Sequence, residues 1–319
     1  MLELIGVPFD RCGKTAGSAL GPAALHFADL AGRLKEIGWD STRMPDAVTL
    51  RPAIFEKEID FDQARDCYRG VHQAVATALE RKNFPMVLGG DHSLSIGSVS
   101  AAFKHFGDDL AVVWIDAHAD LNSPDGSPSG NLHGMPLGLL RQLGRNTTNP
   151  KGDQWRALME EFAPRPLAPS QLAWIGLRDV DASEQATLLD MPTSFAITMY
   201  DIDAVGIERI VQGFARWLEV TGKTKVWISF DVDSLDPGLA PGTGTVVRGG
   251  LTYREGHYLA ERLHQLLIEE GRVAELVGMD VVEVNPIIDH SNETAKIAVE
   301  WVASLFGKRI MKGRDTLDL

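Results

Sequence analysis

Residues 111–134 of this chain combine an apolar run with side chains of the types that bind metal ions. The first five residues, AVVWI, predict one buried strand, because a short continuous apolar run is typical of the core of a sheet. The polar side chains that follow the run are Asp116, His118, Asp120 and, beyond a Gly/Ser/Pro-rich loop, His133. Carboxylates and imidazoles at the end of a strand indicate the floor of a site for divalent cations.

Four further apolar runs of the sequence also end in polar clusters. Each run is short enough for one strand. The clusters lie around His92, Asp181 and Asp231 and at Glu283. In α/β sheets, ligands bind at the carboxyl ends of the strands, because loops from neighbouring strands converge there. We therefore expect these clusters to form one site with residues 116–133, although they are far apart in sequence.

Six of these side chains are candidate metal ligands. They are His92, Asp116, His118, Asp120, Asp231 and Asp233. Four carboxylates crowded into one place repel each other and stay partly protonated unless cations neutralise them. Two divalent ions would do so, and oxygen-rich ligation with two imidazoles and no thiolate suits Mn²⁺ better than a structural Zn²⁺. An isolated Asp-x-Asp is usually a turn or a helix cap, but three clusters that each follow an apolar strand argue against that alternative here.

The elements that must position these residues alternate along the chain. Strands are predicted at residues 2–7, 85–88, 110–115, 172–177, 194–197, 225–230 and 274–282, and more weakly within 40–57. Helices are predicted at 22–37, 60–82, 94–105, 134–143, 154–162, 182–190, 203–219, 252–270 and 293–306. This alternation predicts βαβ units and an α/β fold whose parallel sheet is covered on both faces. Because no linker-like stretch interrupts the alternation, we expect a single domain over residues 1–319.

The composition limits the classes of partner. The 319 residues carry a formal net charge of −13, which disfavours binding to nucleic acid or to an anionic membrane and suits a small ligand better. Two cysteines, Cys12 and Cys67, cannot form a disulfide framework, which favours a cytoplasmic location. The first residues lack the features of a signal peptide, and no apolar run approaches the roughly 18–20 residues of a membrane span. We expect a soluble, globular protein.

Three motifs carry a resemblance to a known family. They are GGDHS at residues 89–93, DAHAD at 116–120 and SFDVDSLDP at 229–237. Together they resemble the signatures of the arginase/agmatinase (ureohydrolase) family. The similarity runs from the first predicted strand to EVNP at 283–286 and beyond, so it covers nearly the whole chain.

The resemblance implies a three-layer α/β/α fold, a binuclear manganese centre with two Mn²⁺ per chain, and a homo-oligomer, either a trimer or a hexamer. His92 and Asp120 would hold one Mn²⁺, His118 and Asp233 the other, and Asp116 and Asp231 would bridge the two. A metal-bridging hydroxide would attack the guanidinium carbon and release urea and an amine.

The arginases of this family are similar to the chain in DLN at 120–122 and SGNLHG at 129–134. This similarity implies hydrolysis of L-arginine to L-ornithine and urea. The positions that would bind the α-carboxylate are Asn122, Ser127 and Ser129, and those that would receive the α-amino group are Asp181 and Glu184. At the reacting end, the similarity implies Asp120 as a ligand that also contacts the hydroxide, His133 as a proton shuttle or substrate orienter, Glu283 facing the guanidinium, and Thr245 near it.

The first loop departs from the family pattern. Arginases usually have a basic residue and two glycines there, where this chain has KTAG at residues 14–17. The position of Ser127 is often threonine, a change that keeps the hydroxyl group. The departure in the first loop concerns contacts at the rim of the pocket, and with them the fine specificity.

Several alternatives are open on the sequence. The chain could be an agmatinase, or a ureohydrolase of another guanidino acid or of Nω-hydroxyarginine. Agmatine has no α-carboxylate, so a site with buried donors for that group would reject it. A metal-dependent amide deacetylase of similar fold would need only one metal, which the six candidate ligands argue against. A non-enzymatic metal-binding protein would require an intact but idle site.

Overall fold

The structure of the protein is a computed structural model that describes residues 1–49 and 61–309. The strands are β1 (Leu2–Gly6), β2 (Ser41–Arg43), β3 (Phe84–Leu88), β4 (Leu110–Ile115), β5 (Leu172–Leu177), β6 (Phe195–Thr198), β7 (Lys225–Asp231) and β8 (Glu275–Val282). The helices are α1 (Gly21–Phe27), α2 (Leu30–Glu36), α3 (Phe61–Glu80), α4 (Ser95–Phe106), α5 (Pro136–Leu140), α6 (Gly152–Phe162), α7 (Ala182–Leu189), α8 (Met199–Val205), α9 (Ile207–Thr221), α10 (Tyr253–Leu267) and α11 (Glu293–Leu305).

The eight strands form one parallel sheet in the order β2-β1-β3-β8-β7-β4-β5-β6. Strands β4 and β7 are neighbours, and their register pairs Ile115 with Phe230. Asp116, the first residue after β4, and Asp231, the last residue of β7, therefore lie side by side at the end of the sheet. Because all pairs are parallel, the loops that follow the strands emerge at one edge, where the sequence predicts the site.

Alternate side chains of β4 enter two separate cores. Ala111 and Val113 belong to a core that includes residues of α1, α2 and α8–α11, whereas Val112 and Trp114 belong to a core that includes residues of α3–α6. A strand that is buried on both faces needs a continuous apolar run, which is what this segment provides. The predicted α/β fold with a parallel sheet between two helical layers is confirmed.

The chain changes direction sharply where the sheet ends. Asp120 and Glu283 both have positive φ, 51° and 63° respectively, in the loops that follow β4 and β8. Non-glycine residues rarely adopt this conformation, and it turns successive side chains out of the alternating pattern of a strand. Gly90, after β3, has no room for a side chain, because a Cβ atom would lie 1.7 Å from the carbonyl oxygen of Phe9.

Three helix predictions are wrong in their bounds. The predicted helix at 22–37 is two helices, because Asp29 has a φ of 63° between α1 and α2. The predicted helix at 203–219 begins earlier, at Met199, and Gly206 (φ 81°) divides it into α8 and α9. The predicted helix at 134–143 is only the short α5, which starts at a proline. Within 40–57 the strand is residues 41–43, and residues 50–57 lie outside the described part of the chain.

Within residues 1–49 and 61–309, no helix is both long enough and apolar enough to cross a membrane.

Candidate metal centre

All six predicted ligands come together at the carboxyl edge of β3, β4 and β7. Two overlapping groups have ligand atoms that lie within 4.8 Å of one another. The first contains His92, Asp116 and Asp231, and the second contains Asp116, His118 and Asp233. Because Asp116 belongs to both groups, the arrangement is two adjacent cation sites that share a carboxylate.

The first group is organised around His92, whose Nδ1 atom faces three carboxylates. It lies 3.0 Å from Asp116 Oδ2, 3.1 Å from Asp120 Oδ2 and 3.1 Å from Asp231 Oδ2. These side chains are almost completely buried, and the ring of Trp114 stacks on the imidazole at 4.0 Å. The predicted ligand Asp120 thus lies close to the same nitrogen as Asp116 and Asp231.

The second group is organised around His118. Its Nδ1 atom lies 3.1 Å from Asp233 Oδ2 and 3.3 Å from Asp116 Oδ1. Asp233 also accepts a hydrogen bond from the hydroxyl of Thr245, at 2.9 Å. The predicted substrate residue Thr245 is therefore attached directly to a predicted metal ligand.

The environment of His92 fits a cation. His92 Nε2 lies 2.8 Å from the hydroxyl of Ser229, which in turn lies 3.3 Å from Asp280 Oδ2. If Ser229 donates to that carboxylate, it accepts from Nε2–H, and Nδ1 then presents a lone pair to the carboxylates. His92 Nδ1 and Asp116 Oδ2 are buried and make no hydrogen bond, an arrangement that is costly without a cation between them.

The charges of the cluster lead to the same conclusion. Burial, together with the charges of Asp233 and Asp116, holds the pKa of Asp231 well above its usual range. Burial alone would lower the pKa of His92, but its contacts with three carboxylates raise it well above the usual value. In the absence of metal, protons therefore neutralise part of the cluster, and divalent cations would replace them.

His133 and Glu283 form a pair beside the cluster. His133 Nδ1 lies 3.0 Å from Glu283 Oε1, which also accepts the backbone N–H of His92 at 2.9 Å. Burial would lower the pKa of His133, but the hydrogen bond and the charge of Glu283 outweigh it and raise the pKa to about 9. With a pKa of about 9, the imidazole of His133 is protonated near neutral pH and can act as a proton donor.

The predicted substrate residues line the same pocket, farther from the sheet. Asn122 Nδ2 donates to Asp181 Oδ2 at 2.7 Å, and Asn122 Oδ1 accepts from Ser183 Oγ at 3.0 Å. Glu184 is buried and accepts the backbone N–H groups of Leu121 and Asp181, at 2.9 and 3.0 Å. Burial raises the pKa of Glu184 to about 7.

Most predicted site residues line the open pocket, and three lie beneath it. The lining residues among them are His92, His118, Asp120, Asn122, Ser127, Ser129, His133, Asp181, Glu184, Asp231 and Thr245. Asp116, Asp233 and Glu283 are buried and do not line the pocket. The residues nearest the sheet are thus the most enclosed, while Ser127 and Ser129 sit on an exposed loop.

Three further residues support the site, and the sequence motifs did not indicate a role for them. Asp280, in β8, accepts hydrogen bonds from Ser95, Ser98 and Trp227, each at 3.0 Å, and lies close to Ser229. The signal for it is an acid inside an otherwise apolar strand, VGMDVV. Asp91 Oδ2 accepts the backbone N–H of Cys12 at 2.8 Å. The guanidinium of Arg178 donates to the carbonyl oxygens of Asp233, Ser234, Leu235 and Val247.

Comparisons with known proteins agree with this geometry. The family model described as "Arginase family" matches residues 2–307. The arginase of Staphylococcus aureus (strain MRSA252) is 39% identical over 316 residues, covering 97% of this chain and 98% of that protein. The arginase of Bacillus subtilis is 36% identical over 313 residues, covering 97% of this chain and 99% of that protein. A crystal structure of that arginase superposes with a TM-score of 0.82 at 34% identity, covering 98% of this chain and all of the other.

Proposed function

The chain belongs to the arginase family, and on that premise we propose that it hydrolyses the guanidinium group of L-arginine to L-ornithine and urea with two Mn²⁺ ions bound. Membership of this family makes the chain a hydrolase of the arginase type. The substrate and the metal are the parts that we propose.

The observation that carries the substrate proposal is the position of Asn122 in the same pocket as the metal cluster. The orientation of its side chain is fixed by two hydrogen bonds. Asp181 accepts one N–H of the amide, and the hydroxyl of Ser183 donates to the amide oxygen. The amide has a second N–H, which is left for a ligand. The hydroxyls of Ser127 and Ser129 line the same part of the pocket. These are donors for a carboxylate at the far end of a guanidinium substrate.

The remaining polar groups of the pocket suit the α-amino group of an amino acid. Asp181 and Glu184 also line the pocket, and their carboxylates accept hydrogen bonds. A substrate with a carboxylate and an ammonium on one carbon can satisfy both sets. Agmatine would leave the carboxylate donors without a partner, which costs affinity.

At the reacting end, we assign the metal ligands as the sequence predicts. His92 and Asp120 would hold one ion, His118 and Asp233 the other, and Asp116 and Asp231 both. Cations held by these residues would supply a water activated for attack on the guanidinium carbon. We assign Glu283 to face the guanidinium, and we assign the protonated His133, whose Nδ1 lies 3.0 Å from Glu283, to give its proton to the leaving amine.

The single domain over residues 1–319, the trimer or hexamer and the cytoplasmic location remain predictions. The sheet supports the single domain, because strands β1 to β8 all belong to it and their carboxyl ends share one edge.

The test is urea release by the purified protein with added Mn²⁺, measured with L-arginine, agmatine, 4-guanidinobutyrate and Nω-hydroxyarginine. We expect the highest kcat/KM with L-arginine and no urea from agmatine. Preference for agmatine would make the chain an agmatinase. Preference for another of the acids would keep the mechanism and replace the substrate.

A further inference from the structure

We infer that Lys14, on the first loop, binds the carboxylate of the substrate and so selects guanidino acids over guanidino amines. This inference rests on the proposed function and deepens it. Lys14 is the one Lys or Arg side chain among the described residues that line the pocket. The acidic side chains that line the same pocket are Asp120, Asp179, Asp181, Glu184 and Asp231.

The loop that carries Lys14 is fixed on both sides of it. Before Lys14, Cys12 donates its backbone N–H to Asp91 at 2.8 Å, and the carbonyl oxygen of Cys12 accepts from the backbone N–H of His133 at 3.2 Å. After Lys14, the carbonyl oxygen of Ala16 accepts from the side-chain amide of Asn285 at 3.1 Å. The backbone of residue 14 is therefore held between segments that belong to the site.

The ammonium group of Lys14 has no partner among the described residues. Its side chain is exposed, and neither a hydrogen bond nor an ion pair joins it to residues 1–49 or 61–309. Other lysines do have such partners: Lys225 lies 2.5 Å from Glu275, and Lys296 lies 2.9 Å from Glu293. A lysine without a partner beside an acidic pocket is available to an anion that enters.

The charge balance identifies that anion. A guanidino amine such as agmatine brings two positive charges, which Lys14 repels. A guanidino acid brings a carboxylate, which Asp179 and Asp181 repel and Lys14 attracts. Lys14 thus supplies the positive charge, while Asn122, Ser127 and Ser129 supply neutral donors. The contact is exposed to water, so its contribution is modest and decreases with ionic strength.

The experiment compares Lys14→Met with wild type, Lys14→Arg and the matched control Lys151→Met. Lys151 lies outside the pocket lining, with its ammonium 5.7 Å from the ring centre of Phe61. With the manganese-loaded enzyme, we expect Lys14→Met to lower kcat/KM for L-arginine by about three- to tenfold at low salt, through KM with kcat unchanged. The inhibition constant of agmatine against L-arginine should stay the same or fall. Lys14→Arg should restore the KM, and 0.5 M salt should reduce the difference between variants.

Three results would overturn the inference: an unchanged KM in Lys14→Met, an equal loss in Lys151→Met, or equal losses of affinity for L-arginine and agmatine. If the wild type hydrolyses another guanidino acid instead of L-arginine, the proposed substrate fails, and the same comparison with that acid still decides the role of Lys14. A wild type that hydrolyses agmatine but no guanidino acid overturns both proposals.

Discussion

The two ends of the pocket are built in different ways. At the metal end, Asp116, Asp231 and Asp233 lie at or just after the ends of the neighbouring central strands β4 and β7 and are at most 2% exposed. At the other end, Ser127 and Ser129 lie on an exposed loop and hydrogen-bond mainly within that loop. The sheet register positions the first set, whereas local turns position the second. We therefore expect the first end to determine the chemistry and to tolerate little change, and the second to determine the substrate and to be open to variation.

The largest effect should come from the metal end. Asp120→Ala removes a carboxylate that lies 3.1 Å from His92 Nδ1 and leaves the cluster short of a ligand. We expect kcat/KM for L-arginine to fall by at least about a thousandfold. Metal content, measured by atomic spectroscopy, should fall below that of the wild type. The exposed Asp109→Ala serves as the control, and an Asp120→Ala enzyme with more than a tenth of wild-type activity would contradict the assignment.

Glu184 provides a second test of the difference between the two ends of the pocket. It belongs to the substrate end but is buried. Burial raises its pKa to about 7 from the ordinary value of 4.5, so the folded protein keeps a proton that the unfolded chain releases. This group therefore costs stability as pH rises from about 4.5 through 7. Glu184→Gln lacks this cost. The free energy of unfolding of Glu184→Gln minus that of wild type should therefore increase by on the order of 2 kcal/mol from pH 5 to pH 8.

The measurement for Glu184 is denaturant unfolding of the metal-free proteins at both pH values, with the exposed Glu160→Gln as the control. If the difference between wild type and Glu184→Gln were the same at pH 5 and pH 8, the carboxylate would not be protonated in the folded state. The substrate end would then contain an ionised acid at acidic as well as at neutral pH.

The same contrast explains what the sequence could predict. The proximity of the six candidate ligands was predictable because their clusters follow apolar runs, and parallel strands bring their ends together whatever the distance along the chain. The breaks at Asp29 and Gly206 were not, because a single left-handed residue interrupts a helical pattern without changing its periodicity. The contact of Ser229 with both His92 and Asp280 depends on which side chains of three strands face each other. That information lies in the register, which an apolar pattern does not give.

We propose that the substrate end of the pocket selects L-arginine while the metal end performs the hydrolysis. The most direct test is the KM of Asn122→Ala for L-arginine, with the manganese-loaded enzyme. Loss of the amide should raise KM by about tenfold and leave kcat and the metal content near their wild-type values. An unchanged KM would contradict the assignment of Asn122 to the substrate carboxylate, and a loss of bound metal would contradict the division between the two ends.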